Sequence, residues 1–352
     1  MSFDASSLGQ PVEFSQIPRE LKKLWESSGG AKSRASLVNF AVCSHGTESL
    51  ATNTELISEF TREHACRATL VACAPEAPQP AVKAWINAHC HLSRAGAKQV
   101  CCEQITILLE GATQRLLSNI LFASLDSDLP LYLWWQGEFS EAINDQLWTW
   151  TDRLIYDSKE WSDPVQQFGI LQNSRKHSGQ RMVLCDLNWT RTLHLRQALA
   201  QTFDHPANLE QIGNIQSVTV TYAPGHWSTA VLFVSWMAGQ LRWEPASGNG
   251  KLSFRAPGGS QVTCELRETA GAPIGSCELA APELNIALRR SAGSPFHRAE
   301  VRANDGRTYQ HLLPAGHDDI ASLLDDELTF GGQHRVYAKA LAVAEPILKK
   351  GL

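Results

Sequence analysis

The sequence predicts an α/β protein with an N-terminal Rossmann-like domain built on a mostly parallel sheet, followed by a C-terminal α+β domain. In the first half, apolar β-type runs alternate with amphipathic helical segments. In the second half, short strand patterns follow one another with few helices between them. The chain has 352 residues, more than one hydrophobic core usually organises, so we expect two domains.

Residues 1–182 are predicted to form the N-terminal domain. Their apolar runs are nearly continuous, which is typical of parallel strands buried on both faces. The run 81–88 fits either a short helix or a strand. Strands are expected at 36–43, 67–73, 104–109, 129–135 and 153–156, and helices at 18–25, 48–63, 113–124, 140–147 and 164–176.

Residues 183–352 are predicted to form the C-terminal domain. We expect residues 186–203 to form a linking helix capped by Asp186. A strand at 215–222 then precedes a helix at 228–243, for which Ser228 is the expected N-cap. Further short strands are expected at 252–254, 261–266, 277–279, 285–290 and 299–301, and the last helices at 317–328 and 336–348.

The composition of the sequence excludes some classes of partner and predicts the cellular compartment. The formal net charge is −5, which argues against nucleic acid or an anionic membrane as the main partner. Residues 1–12 contain no apolar signal-peptide core, and no apolar run is long enough to cross a bilayer. The nine cysteines are an odd number in apolar settings, which indicates reduced, buried thiols in a cytoplasmic protein.

The usual catalytic and cofactor motifs are absent. The first strand is followed by SHGTE (44–48), with one glycine where a dinucleotide loop has G-x-G-x-x-G. The string GNGK (248–251) resembles half a P-loop, and a hairpin turn explains it better. His89-Cys90-His91 and Cys101-Cys102 have metal-ligand residue types without metal-site spacing. The sequence therefore predicts no catalytic residue, no bound cofactor and no metal.

Two cysteines lie in similar strings, VTCEL around Cys264 and GSCEL around Cys277. A hairpin turning at Ala270-Gly271 would place them opposite each other across the ladder, within reach of a disulfide. The alternative, two small residues on a sheet, is favoured in a reducing compartment. We treat them as a candidate redox pair.

Three stretches together carry a family resemblance: EHACRATLV (63–71), LPLYLWWQG (129–137) and DLNWTR (186–191). In this order they resemble the OpcA family of glucose-6-phosphate dehydrogenase assembly proteins, over roughly residues 36–243. The resemblance implies a non-catalytic protein that binds the dehydrogenase, promotes its active oligomer and acts as an allosteric activator in the oxidative pentose phosphate pathway. In cyanobacterial members of this family, cysteines are linked to thioredoxin-dependent redox control.

The partner-binding candidates are Trp134, Trp135, Gly137, Trp189 and Arg191. The first three would lie at the carboxyl end of a parallel strand, where α/β folds commonly place ligands and partners. A fully desolvated tryptophan there would contribute about 2 kcal/mol or more to binding. The alternative is structural: one tryptophan of the pair lies in the core, Trp189 packs, and Arg191 pairs with a carboxylate.

A rival interpretation is a Rossmann-like enzyme that acts on a sugar phosphate. It requires an anion site made from a helix N-terminus with a nearby cation. Thr113 with Arg115, or Arg67, are the candidates. The fold alone does not choose between the two functions.

Overall fold

The computed structural model describes residues 5–26, 32–92, 99–140, 145–177, 181–246, 252–330, 332 and 334–350. The chain divides into two compact units. The first contains Met1–Tyr156 and Gln166–Leu184, and the second contains Asp157–Val165 and Cys185–Leu352. Within the described residues, no helix has the length and apolar character needed to span a membrane.

The chain up to Asp186 alternates strands and helices, as predicted. Short 3-10 turns lie at Ser6–Leu8, Phe14–Gln16, Gly111–Leu116 and Ser158–Glu160. The strands are β1 (Gln10–Val12), β2 (Lys32–Arg34), β3 (Val38–His45), β4 (Cys66–Ala74), β5 (Ala81–Leu92), β6 (Gln99–Glu110), β7 (Leu131–Trp135), β8 (Thr151–Tyr156) and β9 (Val183–Asp186). The helices are α1 (Ile17–Glu26), α2 (Ser49–Phe60), α3 (Leu117–Ser124), α4 (Asp145–Trp150) and α5 (Pro164–His177).

The first sheet has the order β1-β5-β6-β4-β3-β7-β8-β9, with β2 also paired to β6. Strands β6, β4, β3, β7 and β8 are parallel neighbours, whereas β5 runs antiparallel to β6. From β3 the chain moves outward to β4 and β6, then returns to the other side of β3 at β7. This reversal between β3 and β7 is the topological switch point of a Rossmann-like sheet, so the predicted fold class is confirmed.

Pairing between strands determined the secondary structure of a segment that the local sequence pattern left ambiguous. The segment 81–88 is a strand because β5 pairs with β6 along its whole length. The expected helix at 113–124 begins late, because Gly111–Leu116 forms a 3-10 turn before α3. In place of the expected helix at 140–147, the described residues contain α4 at Asp145–Trp150, and residues 141–144 lie outside them.

The remaining chain forms a second sheet with helices. A 3-10 turn lies at Ile212–Asn214. The strands are β10 (Ser217–Tyr222), β11 (Glu244–Ala246), β12 (Leu252–Arg255), β13 (Gln261–Glu268), β14 (Ile274–Ala281), β15 (Leu284–Arg289), β16 (Phe296–Ala303) and β17 (Thr308–Pro314). The helices are α6 (Leu187–Thr190), α7 (Leu193–Gln201), α8 (Pro206–Leu209), α9 (Trp227–Leu241), α10 (Ile320–Phe330) and α11 (Arg335–Lys350).

The second sheet has the order β11-β12-β13-β10-β14-β15-β16-β17. All its neighbours are antiparallel except β10 and β13, which confirms the predicted α+β domain. Buried residues alternate along β10, as expected for a strand with one covered face. Helix α9 is buried along most of its length and packs against α11.

Two helix predictions in this half need correction. The helix expected at 186–203 is broken into α6 and α7, although Asp186 does cap the first piece by accepting a hydrogen bond from the Asn188 amide. The N-cap of α9 is His226, and Ser228 lies inside the helix, where its hydroxyl accepts a hydrogen bond from the Asn188 side chain.

The predicted hairpin joining Cys264 and Cys277 is wrong. Strand β10 lies between β13 and β14, with Cys264 opposite Val218 and Cys277 opposite Val220. Both side chains are buried free thiols, and burial raises the pKa of Cys264 to about 12. The ladder contact on which the candidate redox pair was based is therefore missing. The P-loop-like string 248–251 lies outside the described residues.

The expectation that all cysteines are reduced is also wrong, because Cys90 and Cys101 form a disulfide. These residues face each other across the antiparallel β5–β6 pair, and their Cα atoms are 4.1 Å apart. Side chains alternate along β5, so Cys90 points to one face and His89 and His91 to the other. Cys90, which is bonded to Cys101, therefore cannot join His89 and His91 around one ion.

Peptide mapping of the unreduced protein tests both cysteine findings. We expect a crosslinked peptide pair containing Cys90 and Cys101, which disappears after reduction with a dithiol. No crosslink should join Cys264 to Cys277, because a strand lies between them. A crosslink between Cys264 and Cys277 in the folded protein would contradict the strand order described here.

Candidate functional site

The switch point of the first sheet is the expected location of a ligand site. Strands β3 and β7 end side by side there, with Cys43 opposite Trp135, and the Gln136 amide donates to the Cys43 carbonyl at 2.9 Å. The loop after β3 leads into α2, and Gln136 and Gly137 follow β7. Folds of this class bind ligands in the crevice at this edge.

The loop after β3, which in dinucleotide-binding folds approaches a phosphate, here contains a carboxylate. Gly46 has a φ of +75°, and a Cβ added there would collide with the carboxylate of Glu48. Glu48 is also the N-cap residue of α2. Helix N-termini of this kind favour an anion, and the Glu48 carboxylate lies in the turn before α2, where it makes no side-chain capping hydrogen bond. The carboxylate would repel a pyrophosphate, so these residues do not fit a dinucleotide.

Polar pairs fix the floor of this crevice. Gln136 and Asn53 exchange two amide hydrogen bonds, of 3.0 and 2.9 Å, which join the end of β7 to α2. The Ser49 hydroxyl donates to the Ser44 hydroxyl at 2.8 Å, which joins α2 to the end of β3. These side chains satisfy one another's hydrogen-bonding groups and connect α2 to the ends of β3 and β7.

Both tryptophans of the LPLYLWWQG strand are buried. Trp134 is 5% exposed and Trp135 is 4% exposed. The Trp135 ring packs against Phe139, with centroids 5.7 Å apart, and its Nε1 donates to the Glu138 carbonyl. Gly137 has a φ of +87°, a left-handed conformation that favours glycine and ends the strand. The structure therefore places both candidate tryptophans in the core, whereas Gly137 is exposed at the end of the strand.

The second unit is organised around the carboxylate of Asp186, which is 1% exposed. It accepts hydrogen bonds from the Ser158 amide (3.0 Å), the Ser158 hydroxyl (2.7 Å), the Asn188 amide (3.0 Å) and the Tyr337 hydroxyl (3.0 Å). Burial raises the pKa of Asp186 to about 7, the nearby charge of Asp157 adds to the rise, and these hydrogen bonds oppose it. We call these four donors and their acceptor the Asp186 network.

Trp189 and Arg191 flank the Asp186 network. Trp189 is 4% exposed, and the Arg196 guanidinium stacks over its ring at 3.4 Å from the centroid. Arg191 donates to both carboxylate oxygens of Asp157, at 2.8 and 3.3 Å. Trp189 and Arg191, both predicted to contact a partner, thus interact with groups of the second unit. Arg191 pairs with a carboxylate, as the structural alternative in the sequence analysis proposed.

His226 completes the polar groups near this network. Burial, together with the positive charges of Arg191 and Lys159, lowers the pKa of His226 to about 4. Sequence reasoning did not single out Asp157, Ser158, His226 or Tyr337. No local signal identifies them, because Tyr337 meets Asp186 across a separation of 151 residues.

The residues proposed for a sugar-phosphate enzyme do not converge. Arg67 faces the buried carboxylate of Glu103 at 3.8 Å, which neutralises its charge. Arg115 is an exposed residue of the 3-10 turn before α3, and the side chain of Thr113 is outside the described part of the chain.

Two OpcA family models match the chain in order. The first, described as the N-terminal domain of a glucose-6-phosphate dehydrogenase subunit, matches residues 57–173. The second, described as the C-terminal domain of the same protein, matches residues 182–341. The chain belongs to the OpcA family. The resemblance seen in the three sequence stretches is confirmed.

Relatives in the OpcA family come from cyanobacteria. The OxPP cycle protein OpcA of Synechococcus elongatus is 26% identical, over 82% of this chain and 69% of its own length. That of Nostoc punctiforme is 25% identical, over 76% of this chain and 62% of its own. Among solved structures, an aldose-aldose oxidoreductase from Caulobacter crescentus is 11% identical with a TM-score of 0.48, over 90% of this chain and 98% of that one. A likeness at this level says nothing about activity.

Replacing Asp186 with Asn tests the state of its buried carboxyl group. Between pH 4 and 7 the native protein retains a proton there that the unfolded chain releases, since the pKa is raised to about 7. The free energy of unfolding should therefore fall as pH rises through this window, by up to about 4 kcal/mol from this group, and should level off above it.

Urea unfolding of wild type and Asp186→Asn from pH 4 to 8 measures this slope. We expect the variant to lose the part of the slope that Asp186 supplies. The exposed variant Asp128→Asn is the control and should keep the wild-type slope. Equal slopes for wild type and Asp186→Asn would show that Asp186 is ionised throughout.

Proposed function

We propose that this protein is a non-catalytic assembly factor that binds glucose-6-phosphate dehydrogenase and activates it by promoting its active oligomer, in the oxidative pentose phosphate pathway. The observation that carries this proposal is the pair of OpcA family models matched in order along the chain. Both are described as domains of a glucose-6-phosphate dehydrogenase subunit. The relatives' names assign those proteins to the OxPP cycle.

The chemistry of the switch point supports a role without turnover. The Glu48 carboxylate lies in the loop after β3, and Gln136 and Asn53 hydrogen-bond to each other. In the second unit, Asp186 accepts a hydrogen bond from Ser158, and Arg191 pairs with Asp157. These groups hold the scaffold together, which suits a protein that acts through its surface.

Mixing experiments test the proposal directly. The full-length protein and the dehydrogenase of the same organism are combined at micromolar concentrations and separated by size-exclusion chromatography with light scattering. We expect co-elution, a larger dehydrogenase oligomer and higher dehydrogenase activity across the peak, and no turnover by this protein alone. Independent elution with unchanged activity, under both reducing and oxidising conditions, would overturn the proposal.

Because the tryptophans predicted as partner contacts are buried, an exposed tryptophan is a better candidate for the contact. Trp150, the last residue of α4, is 57% exposed, and its ring lies against Phe122 with centroids 5.3 Å apart. Exposed tryptophan is uncommon on a protein surface and is enriched at binding hot spots. We therefore infer that Trp150 contacts the dehydrogenase, while Trp134, Trp135, Trp189 and Arg191 support the surface from within and Gly137, which is exposed, remains a candidate contact.

Substituting Trp150 with Ala tests this contact. We expect affinity for the dehydrogenase to fall by about thirtyfold, corresponding to about 2 kcal/mol, with circular dichroism and the urea midpoint nearly unchanged. The matched control is Leu312→Ala, which removes an apolar side chain that is 64% exposed on β17 of the second unit. Equal affinities of wild type and Trp150→Ala, measured by calorimetry, would remove Trp150 from the interface.

A further inference from the structure

Three metal-ligating residue types meet inside the second unit. Cys185 comes from β9, Glu327 from α10, and His334 immediately precedes α11. One ligand atom of each lies within 4.8 Å of the other two. Cys185 is buried, the Glu327 side chain is 2% exposed and the His334 side chain 14% exposed. Sequence spacing gives no hint of this cluster, because Cys185 lies far along the chain from Glu327 and His334.

The donor set matches one class of cation. A thiolate, a carboxylate and an imidazole are the ligands of Zn²⁺ and related transition metals, whereas Ca²⁺ and Mg²⁺ use oxygen ligands. Ligand atoms around a tetrahedral Zn²⁺ lie about 3.3–3.8 Å apart, given bond lengths of about 2.0–2.3 Å. The cluster needs only small side-chain movements to reach that geometry. Thiolate and carboxylate together would also neutralise the dication.

The carboxylate of Glu327 is oriented by a neighbour. The Thr190 hydroxyl donates to its Oε2 at 2.8 Å, which leaves Oε1 facing His334 Nε2 at 2.6 Å. Metal ligands in proteins are typically held in this way by a hydrogen bond to the atom that does not bind the metal. Arg196, which stacks on Trp189, places a positive charge near Glu327 that opposes a bound cation, so the thiolate and carboxylate ligands must outweigh it.

The backbone at His334 is a second, independent observation. Its φ is +45°, in the left-handed region that residues other than glycine rarely adopt. Such a conformation is energetically unfavourable and is found preferentially at functional sites. Here it accompanies an imidazole directed at the Glu327 carboxylate.

A cavity of about 220 Å³ gives access to this cluster. Glu327 and His334 line it together with Trp189, Leu193 and Tyr337. A tetrahedral ion with three protein ligands retains one position for water or another small ligand, and the cavity provides space for it.

We propose that Cys185, Glu327 and His334 bind a Zn²⁺-class divalent cation, with the fourth coordination position open to this cavity. Binding displaces the thiol proton of Cys185 to solvent, and His334 binds through a neutral ring nitrogen. The site joins β9, α10 and the start of α11, so the bound ion stabilises the second unit. The competing explanation is a hydrogen-bonded Glu327–His334 pair with Cys185 as a neighbour.

Cobalt substitution separates these explanations. The full-length protein is treated with a chelator and titrated with Co²⁺ under a non-thiol reductant. We expect one equivalent to bind, with the absorption of four-coordinate Co²⁺ and a thiolate-to-cobalt charge-transfer band, both removed by Zn²⁺. Cys185→Ser should lose the charge-transfer band, whereas Cys264→Ser, which alters another buried thiol of the same unit, should keep it.

A second variant and a second measurement keep the test decisive if Cys185→Ser folds poorly. His334→Gln should weaken Co²⁺ binding at least tenfold with unchanged circular dichroism. Zn²⁺ should raise the urea midpoint of wild type and Cys264→Ser but not that of His334→Gln. Absence of stoichiometric Co²⁺ binding by wild type, or wild-type affinity in His334→Gln, would overturn the proposal.

Discussion

The second unit depends on one buried carboxylate, that of Asp186. Its four donors come from three separated parts of the chain: Ser158, the first turn of α6, and Tyr337 in α11. Asn188 extends the contact to α9 through Ser228. In a low-dielectric interior each of these groups needs its partners, because an unpaired one costs about 1–3 kcal/mol. The strand, the helices and the short segment at Ser158 are thereby fixed to one another.

The strings that identify the family are therefore largely structural. Asp186, Trp189 and Arg191 hold the second unit together, and Trp134 and Trp135 fill the core of the first. At the switch point, the Glu48 carboxylate lies in the turn before α2, close to the helix N-terminus that other folds of this type leave for a phosphate.

The local hydrophobic pattern of the sequence was sufficient to predict the parallel sheet, because its buried strands are continuous apolar runs. It was insufficient wherever a distant strand decides the outcome. The form of β5 depends on β6, the Cys90–Cys101 bridge depends on their register, and the hairpin at Cys264 failed because β10 inserts there. The Asp186 network and the Cys185 cluster have no local signature at all, since each joins residues up to 151 positions apart.

The short segment Asp157–Val165 has a consequence for how the chain can be divided and synthesised. It belongs to the second unit, although the first unit resumes after it at Gln166. A fragment beginning at Cys185 would lack Ser158 and Asp157, so Asp186 would lose two donors and Arg191 its counter-charge. On the ribosome, this segment emerges long before Tyr337 does. The second unit therefore cannot complete its core until Tyr337 has been synthesised.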